Sequence, residues 1–284
     1  ATARPALVKE RAATALVDGH NAMGQVVAVY AMKIAIQKAR QCGSAAVSIK
    51  RGNHFGTCAY FAEMAAREDM IGFVWTNGGP VMAPWGGRER QLGNNPFAIA
   101  LPCKKKRPIV LDMAQSVVAR GKIVMAMKTK TPIPDTWALD AEGCPTSDPL
   151  AGYWGTVRPA GDYKGSGLSI LVSMISALLP GAAIGPTMVD LYEQPAVPFN
   201  AGQLVQVIDI SAMGDGEEFK QRMDDYVDYL KRGKKAKGFD EIFVPGELEH
   251  NMYEKQMKEG IQYPVEIIKE YHALCEKLGV EKMA

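Results

Sequence analysis

The stretch from Ala45 to Thr76 constrains the fold most. Ala45–Ile49 is a short apolar run that reads as a buried strand, and Gly43 before it reads as the stop of a preceding helix. Arg51–Gly56 is a glycine-flanked turn, Thr57–Arg67 a helix, and Ile71–Thr76 a second strand. Strand, turn, helix and strand in that order form a candidate βαβ unit, which points to an α/β protein. Just upstream, Gln25–Arg40 carries Val26, Val29, Tyr30, Ile34 and Ala35 at helical spacing and ends basic at Lys38 and Arg40, as a helix C-terminus favours.

The rest of the chain continues the mixture. Phe97–Leu101 and Pro108–Asp112 read as strands joined by the basic turn Lys104–Arg107. Asn77–Asn95 is loop-rich, and Thr131–Pro149 is an irregular, Pro-, Asp- and Gly-rich excursion. Gly161–Gly167 reads as a glycine-dense loop opening an apolar helix, Leu168–Leu179, that is too short for a bilayer and is expected to be buried in the core. Gln203–Ile210 is expected to be a strand, Glu217–Arg232 an amphipathic helix with its charges matched to the helix dipole, Ile242–Val244 a short strand, and Val265–Gly279 a closing helix with Ile267, Tyr271, Leu274 and Leu278 on one face. No repeat and no linker divides the chain, so it is expected to be one catalytic unit over 1–284.

Composition narrows the function classes. With 47% hydrophobic and 23% charged residues in a chain of 284, a sizeable core is available, which excludes a disordered tail or a small disulfide scaffold. A balance of 33 basic and 31 acidic residues gives no reason to expect nucleic acid or a membrane as partner. The basic cluster Lys231, Arg232, Lys234, Lys235 and Lys237 has no aromatic platform and reads as a solvated helix end. The five cysteines are scattered and form no C-x-x-C pair, so a structural metal site is not expected and a reducing, cytoplasmic setting is. Ala1–Glu10 has no signal-peptide layout.

Four histidines are present, and His54 stands out, because Gly52-Asn53-His54-Phe55-Gly56 falls after a strand and before a helix. Ligands of open α/β sheets bind at such strand ends, and histidine is the usual proton donor and acceptor there. A histidine that merely caps the turn fits the pattern equally well. Gly161–Gly167 places Lys164 among glycines at a helix start, where backbone amides and a cation favour an anion; a tight turn with an exposed lysine is the plainer alternative. Asp112, at a strand end, suits either a ribose hydroxyl or a helix cap. No H-E-x-x-H, phosphate-loop or G-x-G-x-x-G fingerprint is present.

Together these stretches form an ordered set. Leu16–Val27 (LVDGHNAMGQVV), Gly52–Gly56 (GNHFG), Tyr60–Ala65 (YFAEMA), Ala83–Gly87 (APWGG) and Gly93–Phe97 (GNNPF) are followed by Leu111–Lys122 (LDMAQSVVARGK), Pro132–Pro149, Tyr163–Leu168 (YKGSGL) and Pro245–Glu249 (PGELE). In this order, across nearly the whole chain, they resemble the malate/L-lactate dehydrogenase family that lacks the Rossmann fold.

The resemblance implies a mixed-sheet, non-Rossmann nicotinamide-binding α/β fold with flanking helices. It implies a homodimeric oxidoreductase using NAD or NADP on a small 2-hydroxy or 2-oxo acid. It implies His54 as general acid/base and as a substrate contact. Asp112, Met113, Ala114, Lys164, Gly165, Gly246 and Glu247 are the implied cofactor contacts. The nicotinamide portion would span roughly 50–200, and a helical, substrate-handling portion 1–49 and 201–284. Two features depart from the family pattern. The family's usual N-terminal helical segment, with its substrate-binding arginine and tyrosine, is not in this chain. Gly78 also stands where some members have a substrate-binding serine, and it offers only its backbone. Arg120 and Lys122 are candidates for a 2′-phosphate contact. A cyclic-imine reductase on the same scaffold, and a non-catalytic cofactor-binding paralogue, remain as alternatives.

Overall fold

The computed structural model describes residues 3–190, 194 and 196–282. Its contacts group into two units, 1–246 and 247–284. In the first, β1 (Ala6–Glu10) and β2 (Thr14–Asp18) form a hairpin that leads into α1 (Gly24–Cys42) and β3 (Ser44–Gly52). Then come α2 (Ala59–Ala66), β4 (Met70–Thr76), β5 (Phe97–Leu101) and β6 (Ile109–Met113). A small layer follows: α3 (Arg120–Thr129), β7 (Ala138–Leu139), β8 (Pro145–Thr146), α4 (Pro149–Trp154) and β9 (Thr156–Val157). The unit closes with α5 (Tyr163–Ser173), β10 (Ala201–Asp209) and α6 (Gly216–Lys231).

The main sheet has seven strands in the order β1-β2-β3-β10-β4-β5-β6. Only β2 and β3 pair in parallel; the other neighbours are antiparallel. The mixed-sheet α/β fold is therefore as expected, but the βαβ reading needs correction. β3 and β4 run in the same direction without touching, because β10 lies between them, antiparallel to both. A strand arriving from so far along the chain leaves no local trace in the Ala45–Thr76 pattern.

Alanine-rich faces allow the helices to sit close to this sheet. Val27, Ala28, Ala31, Met32 and Ala35 of α1 and Phe61, Ala62 and Ala65 of α2 share one buried core with Val47, Ile49, Val74, Ala98, Val205 and Val207. Gly72 makes the approach of α2 possible, since a methyl there would stand 2.4 Å from the Ala62 carbonyl oxygen. A second core of Met82, Val118, Ile123, Ile133, Ala138 and Val157 sits under the three-stranded sheet β8-β7-β9.

Three local expectations change. The glycine-dense segment is already helix from Tyr163, and α5 then runs into a π-helical turn, Met174–Leu178. Its orientation reverses the apolar-inside expectation. Gly165, Ser166, Ser169, Val172, Ser173 and Ser176 are buried, while Leu168, Leu171, Ile175, Leu178 and Leu179 are exposed. Small groups are needed inside because the chain is tight there: a methyl on Gly165 would meet the Ala160 carbonyl oxygen at 2.4 Å, and one on Gly202 the Ser176 carbonyl oxygen at 2.1 Å. Ile242–Val244 joins no strand, while the β1–β2 hairpin forms where no strand was expected.

The second unit consists of α7 (Glu247–Glu259) and α8 (Val265–Leu278), the latter buried at Cys275 and closed by Gly279 in the left-handed region. Among the described residues, no helix is long and apolar enough to cross a membrane.

Candidate active site

His54 follows β3 in a turn that is held from three sides. The Asn53 side-chain amide donates to the carbonyls of Asn21, at 2.9 Å, and Ala22, at 3.0 Å. The Gln203 amide of β10 donates to the Asn53 carbonyl at 3.1 Å. At the start of α1, Gly24 packs directly on the turn; a methyl there would lie 2.4 Å from the His54 carbonyl oxygen and 2.5 Å from that of Asn53. The imidazole itself is exposed, and the Gly56 amide points at Nδ1 from 3.4 Å.

Behind the turn, Asp18 ties β2 to β3. Its buried carboxylate accepts from Arg51 Nε at 2.7 Å, from Arg51 Nη2, and from the His20 backbone amide at 2.9 Å. Burial pushes this carboxyl up, but the Arg51 hydrogen bonds, the His20 amide and the Arg51 charge together outweigh it. The net position is below the ordinary carboxylate value. The clamp holds His20, Asn21 and Arg51 in the left-handed backbone region, which L residues seldom occupy.

His54 and Gly78 line the same cavity, of about 370 Å³. Its other walls include Asn77, Gly79, Asn94, Pro96, Arg120, Gly121, Asp190 and Phe199. A second cavity, of about 430 Å³, lies against His54, Asn53 and Phe199 and is lined by Met23, Gln25, Val26 and Val189. His54 thus borders two spaces.

Arg120 is the first residue of α3 and is buried. Its Nη1 pairs with Asp190, and its guanidinium carbon lies 4.4 Å from the centre of the Tyr153 ring. A buried guanidinium beside the open N-terminal turn of a helix is a place for an anion. Arg120 therefore belongs to the His54 cavity, and Lys122, two residues further along α3, is exposed.

The glycines of this cavity are held by asparagines. Oδ1 of the buried Asn95 side chain accepts from the Gly78 amide at 2.9 Å. Its Nδ2 lies 2.8 Å from the Ser169 carbonyl and Oγ and 2.7 Å from Ser173 Oγ. The Gly78 amide is therefore spoken for inside the protein. Asn77 joins the Ala183 carbonyl and the Gly202 amide, each at 2.8 Å. The serine face of α5 is thus the anchor for the loop that carries Gly78.

The other expected contacts have their own settings. Asp112 Oδ2 accepts from the Ala59 amide at 2.8 Å, so it caps α2 across the sheet. Met113 pairs with Phe97 at the end of β6. Ala114 leads to the buried Gln115, whose amide donates to the Asn94 carbonyl at 2.7 Å. Lys164 and Gly165 lie in the first turn of α5. Gly246 takes φ +93° against Val110, and Glu247 begins α7 in the second unit. Neither cavity is lined by Asp112, Met113, Ala114, Lys164 or Gly165. Cys58, beside the His54 turn, is buried; burial first, and the Asp112 charge second, push its thiol well above the ordinary value.

The profile of the malate/L-lactate dehydrogenase family matches residues 1–271. The chain belongs to that family. It is 40% identical over 274 residues to L-sulfolactate dehydrogenase of Methanocaldococcus jannaschii, covering 96% of this chain and 78% of that protein. It is 35% identical to ureidoglycolate dehydrogenase (NAD(+)) of Escherichia coli K12 over 88% of this chain and 71% of that protein. The solved malate dehydrogenase of Entamoeba histolytica superposes with a TM-score of 0.91 at 30% identity, covering 99% of this chain and 81% of that one.

Within this dehydrogenase family chain, the sequence pointed to His54, Gly78 and Arg120, which line one cavity, but not to what holds them. Asn53, Asn94 and Asn95 stood inside quoted motifs, yet their hydrogen-bond partners lie far along the chain. Asp190 stands in no motif and had no signal at all.

Proposed function

We propose that this chain is a nicotinamide-dependent dehydrogenase acting reversibly on a small, malate-like 2-hydroxy or 2-oxo acid in the His54 cavity. The observation that carries the reading is that one cavity is faced by an exposed imidazole on a clamped turn and by a buried arginine at a helix start. Its volume of about 370 Å³ falls in the small-molecule range of roughly 300–1,000 Å³.

The residues present also fit a flat nicotinamide ring. Gly78, Gly79 and Gly121 leave backbone without side chains in the wall, and a Cβ at Gly121 would meet open space. NAD or NADP, when bound, supplies the hydride acceptor or donor. Arg120 and the first turn of α3 hold the acid's carboxylate. His54 takes the hydroxyl proton as the substrate is oxidised and returns a proton to the carbonyl oxygen on reduction, so that no charge is stranded there. Lys164, Gly165 and the Asp112–Ala114 stretch serve the cofactor away from the reacting carbon, and Gly246 and Glu247 are assigned to the same role.

We further read the chain as a homodimer. Leu168, Leu171, Ile175 and Leu178 form an exposed stripe at helical spacing, which a second copy would cover. Light scattering on the purified protein checks this. A reducing, cytoplasmic setting suits its free cysteines.

The test of function is nicotinamide oxidation with oxaloacetate, pyruvate, 3-sulfopyruvate and a cyclic imino acid, each with NADH and with NADPH. Turnover of at least one 2-oxo acid is expected. Turnover of the imine alone would move the chain to the reductase reading, and no turnover of any would favour a non-catalytic paralogue.

A further inference from the structure

The cavity contains a charge that the reaction itself does not need. Asp190 pairs with Arg120, and their side chains are only 13% and 8% exposed. The placement of Asp190 is anchored. A methyl on Gly79 would stand 2.9 Å from the Val189 carbonyl oxygen, so the backbone just before Asp190 lies flat on the Gly78-Gly79 loop. Asn77 holds the same segment from below, with its amide 3.7 Å from Met188 Sδ. Across the guanidinium, the Tyr153 ring packs at 4.4 Å. Among the described residues lining the cavity, the titratable ones are His54, Arg120 and Asp190.

A carboxylate fixed against the arginine that lines the cavity lowers the positive potential that an incoming anion meets. The effect grows with the number of negative charges on the substrate, because each one pays its own repulsion from Asp190 at short range and low effective dielectric. We propose that Asp190 is the specificity-determining residue of this cavity, setting how strongly it discriminates between acids with one and with two anionic groups. This rests on the reading of the cavity as an acid site with Arg120 as its anion contact. With Asp190 present, the gain in affinity from a second anionic group is held down. With the charge removed, that gain rises.

The test is equilibrium binding of lactate and malate to the full chain by calorimetry, together with kcat/KM for pyruvate and oxaloacetate. Four variants are compared with wild type: Asp190→Asn, Asp190→Ser, Asp190→Glu and Arg120→Met. Two neutral replacements are included so that a folding failure in one leaves the other. In the neutral variants, the malate-to-lactate affinity ratio should rise about tenfold. Asp190→Glu, which keeps the charge, should stay within about twofold of wild type. Arg120→Met should lose both acids. If Arg120→Met loses both while the ratio is unchanged in the neutral variants, or shifts as much in Asp190→Glu, Asp190 does not set specificity and the acid site stands. If Arg120→Met binds both acids as wild type does, or wild type binds neither, the acid-site reading falls and takes this one with it.

Discussion

On the His54 side of the cavity, most restraints come from residues inside short motifs. Asn53 reaches back to Asn21 and Ala22, and Gly24 receives the turn on its bare Cα. On the Arg120 side, the restraints come from segments with no shared pattern: Arg120 at the start of α3, Tyr153 in α4, and Asp190 in an irregular stretch. The first side presents an imidazole on a stiff turn, and the second presents a balance of charges. On the proposed function, proton transfer, which tolerates little misplacement, falls to the stiff side. Charge balance can change by one substitution without rebuilding a turn, so the second side is where substrate preference can be adjusted.

The comparison breaks most sharply at His54. His54→Asn should lower kcat by about 10²–10⁴-fold, with the nicotinamide dissociation constant within a few-fold of wild type. Turnover that stays near wild type would move the acid/base role elsewhere. The next largest effect belongs to Gly24→Ala, far from any reacting atom. The added methyl must displace the Asn53 and His54 carbonyls, and a shift of about 1 Å at the imidazole costs on the order of 10²-fold in kcat. A loss in kcat that appears without a comparable rise in KM would show that the turn, not the acid-binding side, has moved.

These two positions also show how far the sequence could be read. His54 was visible because a histidine in a strand-end turn has few physical uses; Gly24 was not, because its role depends on a turn some thirty residues along the chain that packs on it. The helices α1, α2, α6 and α8 were visible because one apolar face repeats at helical spacing. α5 misled the same rule. Its interior is serine and glycine packed at backbone contact distance, and its leucines point outward, so hydrophobicity marks the wrong face. β10 could be recognised as a strand but not placed, since its position between β3 and β4 is a long-range pairing. The Arg120–Asp190 pair was beyond reach for the same reason: two charged residues seventy positions apart declare nothing until the fold brings them together.

The Asp18 clamp sharpens the comparison through pH. Its carboxyl sits below the ordinary value in the folded protein. The stability it contributes is therefore present above the unfolded carboxyl value of about 3.9 and is lost as pH falls through the lower folded value. Asp18→Asn should cost about 1–3 kcal/mol at neutral pH. It should also flatten the fall in urea midpoint between neutral pH and the acid limb, measured at several pH values. An equal acid sensitivity in the variant would mean that other carboxylates govern acid unfolding.

The smallest effect is expected at Lys164, which neither side of the cavity needs. It lies in the first turn of α5, whose buried face holds the Gly78 loop through Asn95. Lys164 itself points away from that face and is exposed. Replacing it with alanine should leave the loop, kcat and acid binding unchanged. A helix-end charge contributes about 0.3–1 kcal/mol to holding an anion, so the cofactor dissociation constant should weaken by roughly two- to fivefold. If the substitution instead lowered kcat with cofactor affinity intact, α5 would be acting on the reaction through Asn95. The division between a stiff catalytic side and an adjustable acid-binding side would then need a third, cofactor-linked element.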